Sequence, residues 1–165
     1  MVLKHSHCYV CDLNNPVGLR VAFRLEYGKA VGQFIPQPEH QSFKEITHGG
    51  VLSTLLDAAM NRILLFHYIK AKTAKLQVYF AKEAKIGEPL TVLGEIVQVK
   101  KKYAVTRGEV RDSQNNTIAQ GEAVFIMQKD KERGHIHSSK VKRIKKLKDH
   151  LKERKENNEN CHSIR

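Results

Sequence analysis

The stretch from Thr47 to Tyr68, THGGVLSTLLDAAMNRILLFHY, constrains the fold more than any other part of this 165-residue chain. Between Val51 and Phe66 the apolar residues Val51, Leu52, Leu55, Leu56, Ala58, Ala59, Met60, Ile63, Leu64, Leu65 and Phe66 do not keep to one stripe. A helix that is apolar on all sides is a buried helix. Asp57, Asn61 and Arg62 interrupt the run, and a bilayer span takes about 20 mostly apolar residues. The segment therefore predicts a core helix with other elements wrapped around it.

Asp57 is the carboxylate in this apolar body. Ser53 and Thr54 precede it by one turn and Asn61 follows by one turn, a polar seam at i, i+3, i+4 spacing. A buried carboxylate is costly unless it is paired or used. One account pairs it with Thr54, Asn61 or a neighbouring strand; the other gives it chemistry. Gly49 and Gly50 bear on the choice, because they lack Cβ atoms and open the helix, where unpaired N–H groups carry partial positive charge. Such a terminus can polarise a carbonyl oxygen as it gains charge. Gly49 and Asp57 are eight positions apart, about 12 Å along one helix at 1.5 Å per residue. Groups acting on one acyl carbon must each come within about 3 Å of the reacting atoms. If both act on the same carbonyl, a second subunit must lay its helix antiparallel alongside, and each site takes its glycine from one chain and its aspartate from the other.

His48, Gly49, Gly50 and Asp57, with Thr54 and Leu55 between, resemble the HGG(x6)D signature of the hotdog-fold acyl-CoA thioesterases of the phenylacetic-acid-degradation type. The similarity extends to CYVCDLNNPVGL, TAKLQVYF and KIGEPLTVLGEI, and covers roughly residues 8 to 128. The resemblance implies an α+β hotdog fold, a long central helix wrapped by a curved antiparallel sheet, acting as a dimer or dimer of dimers with sites at the interface. It further implies that the Gly49 amide polarises a thioester carbonyl while Asp57 of the other chain activates water or attacks directly, without metal or organic cofactor. His48 and Gly50 at the turn, and Gln41 and Ser42 in the preceding loop, are the residues it offers for substrate contact. No one family residue aligns with His40, Gln41 or Ser42, and a solvated loop residue is the favoured account of each. His48 is as well suited to capping the helix as to proton transfer.

The remaining elements follow from alternation and turn chemistry. LRVAFRLEY from Leu19 and AVGQFIP after Gly28 predict an antiparallel hairpin. After the helix, Lys70 to Lys72 read as a polar break and Thr73 to Glu83 as a strand. Leu90 to Val99, Tyr103 to Arg111 and Thr117 to Gln128 complete the order β-β-α-β-β-β-β, an α+β arrangement. Thr73 starts its strand as a β-former would. Some members of the family hold the attacking water with a Ser or Thr at this place. Lys100, Lys101 and Lys102 would attract a polyanionic carrier, although solvated lysines at a hairpin end are commoner.

HSHCYVC at the front groups His5, His7, Cys8 and Cys11, ligand types that zinc prefers. No second CxxC or spaced His pair completes a metal site, and no thioredoxin-like βαβ pattern follows Cys11. A structural role in leading the chain through the turn residues Asn14, Asn15, Pro16 and Gly18 into the first strand is the favoured account. Three cysteines do not suggest an extracellular disulfide framework, and MVLKHSHCYV holds no sustained apolar segment, so a cytoplasmic protein is expected.

Residues 129–165 are set apart from the domain at 1–128. They hold 13 of the 29 Lys and Arg but 6 of the 17 Asp and Glu, which gives this tail +7 of the formal +12 charge. Val141, Ile144, Leu147 and Leu151 space out one thin stripe of a basic helix over about 138–154, with a disordered end expected beyond. The stripe is expected to dock on the body or on another subunit, ahead of contact with anionic membrane or nucleic acid.

Three functions compete. The first is hydrolysis of acyl-CoA thioesters by Asp57, Gly49 and Thr73. The second is a non-catalytic acyl-CoA sensor whose tail contacts an anionic partner. The third, a hotdog dehydratase acting on acyl carrier protein, lacks its histidine motif here. Chain length and the choice of carrier depend on pocket depth, which one chain does not display.

Overall fold

The computed structural model describes residues 7–128 and, beyond them, Lys146, Asp149 and Glu153, all three helical and exposed. The rest of the predicted basic helix and the tail's end lie outside the described residues.

Six strands form one antiparallel sheet: β1 (Arg24–Glu26), β2 (Lys29–Phe34), β3 (Ala71–Phe80), β4 (Leu90–Val99), β5 (Tyr103–Arg111) and β6 (Thr117–Met127). The helix α1 (Gly49–Phe66) enters between β2 and β3, as the pattern predicts, and the order across the sheet is β1-β2-β4-β5-β6-β3. Tyr27 and Gly28 both have positive φ, 47° and 75°, which joins β1 to β2 through the two-residue turn whose twist suits a hairpin.

The helix lies across the sheet, packing most extensively on β4 and also on β2, β3, β5 and β6. Leu52, Leu55, Leu56, Ala59, Met60, Ile63 and Leu64 are buried against the inward residues of the strands, among them Val92, Ala104, Val110, Ala123 and Phe125. Each large apolar side chain removed from water in this way contributes roughly 1.5–3 kcal/mol before entropy is charged. The seat under the helix is a row of glycines. Gly94 faces Gly108 and Gly108 faces Gly121 in the strand register. A Cβ at Gly94 would stand 2.3 Å from the Ala59 carbonyl oxygen, and one at Gly108 would stand 3.0 Å from Leu56 and 3.1 Å from Met60. Side chains here would lift the helix off the sheet.

Three expectations are corrected. The first strand does not begin at Leu19: Leu19 and Val21 donate their amides to the Tyr9 and Val10 carbonyls at 2.8 and 2.7 Å, so 19–23 runs beside the N-terminal segment and the sheet starts at Arg24. β3 begins at Ala71, within the predicted polar break, and stops at Phe80, after which the Ala81 and Lys82 amides both donate to the one Ile118 carbonyl and the ladder register ends. Finally, α1 is not buried on all sides. Val51, Thr54, Asp57, Ala58 and Asn61 form a half-exposed row, and beside it β3 is exposed along most of its length. With 18 residues of mean hydropathy 1.2 the helix meets the length and composition of a membrane span, yet half of it is buried inside the fold. What the apolar run signals is a helix covered on one face by the sheet.

Gly94→Ala tests the seat. The methyl meets backbone, which cannot rotate away, so we expect the variant to lose about 3 kcal/mol or to fail to fold. Urea unfolding against the parent protein measures this, and a loss below about 1 kcal/mol would show that the helix has room to shift.

Candidate active site

Asp57 and Thr73 meet at the middle of α1. The Thr73 hydroxyl donates to Asp57 Oδ1 at 2.7 Å. A register irregularity sets the threonine: Thr73 pairs with Phe125 and Lys75 with Val124, so Ala74 is an extra residue in β3. Bulges of this kind re-aim side chains and recur beside active sites. The other members of the seam bind elsewhere. Ser53 and Thr54 donate back to the Gly49 and Gly50 carbonyls at 2.9 and 2.8 Å, and Asn61 Nδ2 donates to the Ala71 carbonyl at 3.3 Å. Of the structural pairings expected for Asp57, the structure therefore supplies the one from a neighbouring strand. The carboxylate remains half-exposed, and one hydroxyl leaves Oδ2 able to accept from another donor.

Asp57 forms part of the wall of a cavity of about 550 Å³. Ala58, Asn61, Arg62 and Leu65 continue that wall along α1, Lys70 and Ala71 lie at the start of β3, and Cys8, Val10, Cys11 and Phe23 close it from the N-terminal segment. The volume is that of a small-molecule site, with apolar lining and a few convergent polar groups. Arg62 is 7% exposed and donates to Cys11 Sγ, which ties the front of the chain to the helix. In the sequence Arg62 reads only as an interruption. Its position between helix and N-terminal segment is set by a contact 51 residues away, which no local pattern reveals.

The helix start forms a second, separate group. His48 is the N-cap, and its Nδ1 accepts from the Gly50 amide at 2.8 Å. The capping role expected for His48 is present, and it engages the amide that Gly50 would have offered to a ligand. Gly49, the first residue of the helix, has no acceptor within the helix for its own amide. A Cβ on Gly49 would meet the Phe80 ring at 3.4 Å, so this exposed aromatic at the end of β3 stands beside the helix opening. Gln41 and Ser42 fold back on their own loop: Gln41 Oε1 accepts from the Glu45 amide at 3.3 Å, and the Ser42 amide donates to the Ile46 carbonyl at 2.9 Å. His40 likewise accepts from the Gln37 amide through Nδ1 at 2.8 Å and lies against Phe34, with ring centroids 5.1 Å apart. None of Gln41, Ser42, His48, Gly49 and Gly50 lines the cavity at Asp57. The chain brings Asp57 and Thr73 together and leaves Gly49 about two turns of helix away.

The capping bond has its own signature. His48→Ala removes the acceptor and should cost about 1 kcal/mol of stability, whereas His48→Asn, which can accept from the same amide, should restore most of it. Equal losses in the two variants, read by thermal unfolding, would show that the imidazole acts by packing instead.

Residues 45–119 match the thioesterase superfamily. No curated protein matches the chain. Among solved structures, the Escherichia coli PaaI protein from the phenylacetic acid degradation operon aligns at 20% identity over 67% of this chain and 81% of its own, with a TM-score of 0.64. A Streptococcus mutans protein bound to acetyl-CoA aligns at 17% identity over 66% of this chain and 88% of its own, TM-score 0.62. Zebrafish thioesterase superfamily member 2 aligns at 18% identity over 70% and 90%, TM-score 0.63. The identities are low and the likeness is one of fold, a single long helix held by a curved antiparallel sheet. The fold is that of the hotdog proteins, and residues 45–119 within it resemble the thioesterase superfamily.

Proposed function

We propose that the protein hydrolyses acyl-CoA thioesters to the free acid and CoA at a site shared between two copies of the chain. The observation that carries the reading is the Asp57 carboxylate, half-exposed on a cavity wall and held by Thr73, on the helix that opens at Gly49. The S. mutans relative with acetyl-CoA bound supports the choice of carrier.

Assembly follows from the sheet edge. β3 pairs with β6 on one side only, and Tyr79 and Phe80 on it are 68% and 48% exposed. A long uncovered edge is a template for pairing with another chain. Two copies joined edge to edge about a two-fold axis lay their α1 helices antiparallel, with the half-exposed row Val51, Thr54, Asp57, Ala58 and Asn61 turned towards the seam. The start of one helix then faces the middle of the other, which removes the 12 Å separation that one chain imposes.

In this arrangement the thioester carbonyl oxygen lies at the Gly49 amide of the second copy, at the positive end of that helix. Thr73 fixes one carboxylate oxygen of Asp57, and the other accepts a proton from water. The hydroxide adds to the carbonyl carbon, negative charge on the oxygen is met by the amide, and collapse of the adduct expels the CoA thiolate, which takes the proton from Asp57. Direct attack by the carboxylate, giving an anhydride that water then opens, uses the same residues. Either route draws on side chains and backbone alone.

A panel of acyl-CoAs of graded size, assayed for steady-state hydrolysis, tests the proposal. Asp57→Asn should lower kcat/KM by about 10³-fold or more and Thr73→Val by about 10- to 100-fold, with the dimer mass in light scattering unchanged. Undiminished turnover in Asp57→Asn, or tight acyl-CoA binding without turnover across the whole panel, would overturn it.

A further inference from the structure

The two cysteines at the front of the described chain have a place that the hydrolytic chemistry does not use. Cys8 and Cys11 are both free thiols, both partly exposed, and both on the wall of the cavity that holds Asp57. The segment between them is one tight turn: the Asp12 amide donates to the Cys8 carbonyl at 3.2 Å, and the Asp12 carboxylate accepts from the His7 amide at 2.6 Å and the Asn14 amide at 3.0 Å. Residues i and i+3 of such a turn hold their Cα atoms within about 7 Å, close to the span a disulfide bridges. On the inner side, the Arg62 guanidinium donates to Cys11 Sγ.

We propose that Cys8 and Cys11 form a thiol–disulfide exchange site on the cavity rim, with Cys8 as the attacking sulfur, Cys11 as the resolving one, and a low-molecular-weight disulfide as co-substrate. The environments of the two sulfurs differ in the sense this assignment needs. Burial opposes ionisation of Cys8, but the Cys11 thiol, the Cys11 and Val10 amides and the charge of Arg62 outweigh it and hold the Cys8 thiol below its ordinary range. Burial, and then the hydrogen bond to Cys8, push the Cys11 thiol up to about 11 against the pull of Arg62. The thiolate is the nucleophile in such exchange. In the first step the Cys8 thiolate attacks one sulfur of RSSR, the S–S bond of the reagent breaks, and RS⁻ leaves and takes a proton from solvent. In the second step Cys11 gives its proton to solvent and attacks Cys8 Sγ, the mixed disulfide breaks, and a second RS⁻ leaves. Two electrons pass from the pair to the reagent, and two RSH are formed. Closing so short a ring restrains the unfolded chain much less than a long-range bridge would, which suits a bond that is made and broken.

The sequence reading set redox chemistry aside because no thioredoxin-like element follows Cys11. The cavity wall and the Arg62 contact, neither visible in CxxC spacing, give the pair its surroundings. Among the described residues no three His, Cys, Asp or Glu side chains converge to hold a metal ion, so the pair is argued as a dithiol.

The test uses the full chain with Cys161→Ser as parent, since Cys161 lies outside the described residues, and oxidised glutathione as probe. Intact-mass measurement should show the parent losing two hydrogens without retaining glutathione, and dithiothreitol should restore them. Cys11→Ser should accumulate one glutathione adduct about tenfold faster than Cys8→Ser. Retention of glutathione by the parent without loss of the two hydrogens, or equal adduct rates in the two variants, would overturn the proposal. The mass readout on the parent needs no variant to fold and does not depend on thioester hydrolysis.

Discussion

Everything in this protein rests on how closely α1 approaches the sheet. Gly94, Gly108 and Gly121 lie side by side on β4, β5 and β6, and the backbone of Ala59 sits where the Cβ of Gly94 would be. Glycines inside strands weaken a sheet when considered alone. Here they remove the steric layer that would hold a helix about 10 Å away, and the loss is offset by the buried row from Leu52 to Leu64. The row also fixes the rotation of the helix. With Leu56, Ala59 and Met60 directed into the glycine seat, the residues on the far side, Thr54, Asp57, Ala58 and Asn61, are directed away from it.

That rotation is what gives Asp57 its surroundings. The carboxylate emerges at the border between the helix and β3, where the bulge at Ala74 brings Thr73 to it. A carboxylate deeper in the core would be neutralised or paired, and one fully in solvent would hold no fixed partner. The helix start, by contrast, is ordered by its own cap, with His48 occupying the Gly50 amide and Phe80 standing beside Gly49. One rigid rod thus carries a capped start at His48 and, near its middle, a carboxylate held by a strand.

Much of this was legible before any coordinates. The helix, its glycine-marked start, five of the six strands in nearly their observed extents and the α+β order all follow from periodicity and turn residues, because each is set by neighbours a few positions apart. The distance between Gly49 and Asp57 follows from helix rise alone. What escaped is long-range. The glycine row joins positions 14 and then 13 residues apart and shows itself only through strand register. The segment 19–23 has the alternation of a strand yet pairs with residues 9 and 10, since the N-terminal segment reaches it first. Gln41 and Ser42 are exposed, as a polar loop implies, and the hydrogen bonds by which they close a turn are ones the letters alone do not describe. The apolar run suggested burial on every side, because a count of apolar residues does not say which of them face the sheet.

The strand order carries a consequence for synthesis. β3 leaves the ribosome directly after the helix, but its sheet partner is β6, the last strand to be made. A nascent chain that has emerged only as far as β5 already contains Thr73 and Asp57, with no ladder yet to hold the threonine in place. The bond between Thr73 and Asp57 is therefore assembled last, when Phe125 and Val124 arrive to receive the bulge, and a polypeptide cut short before that point would expose β3 on both of its edges.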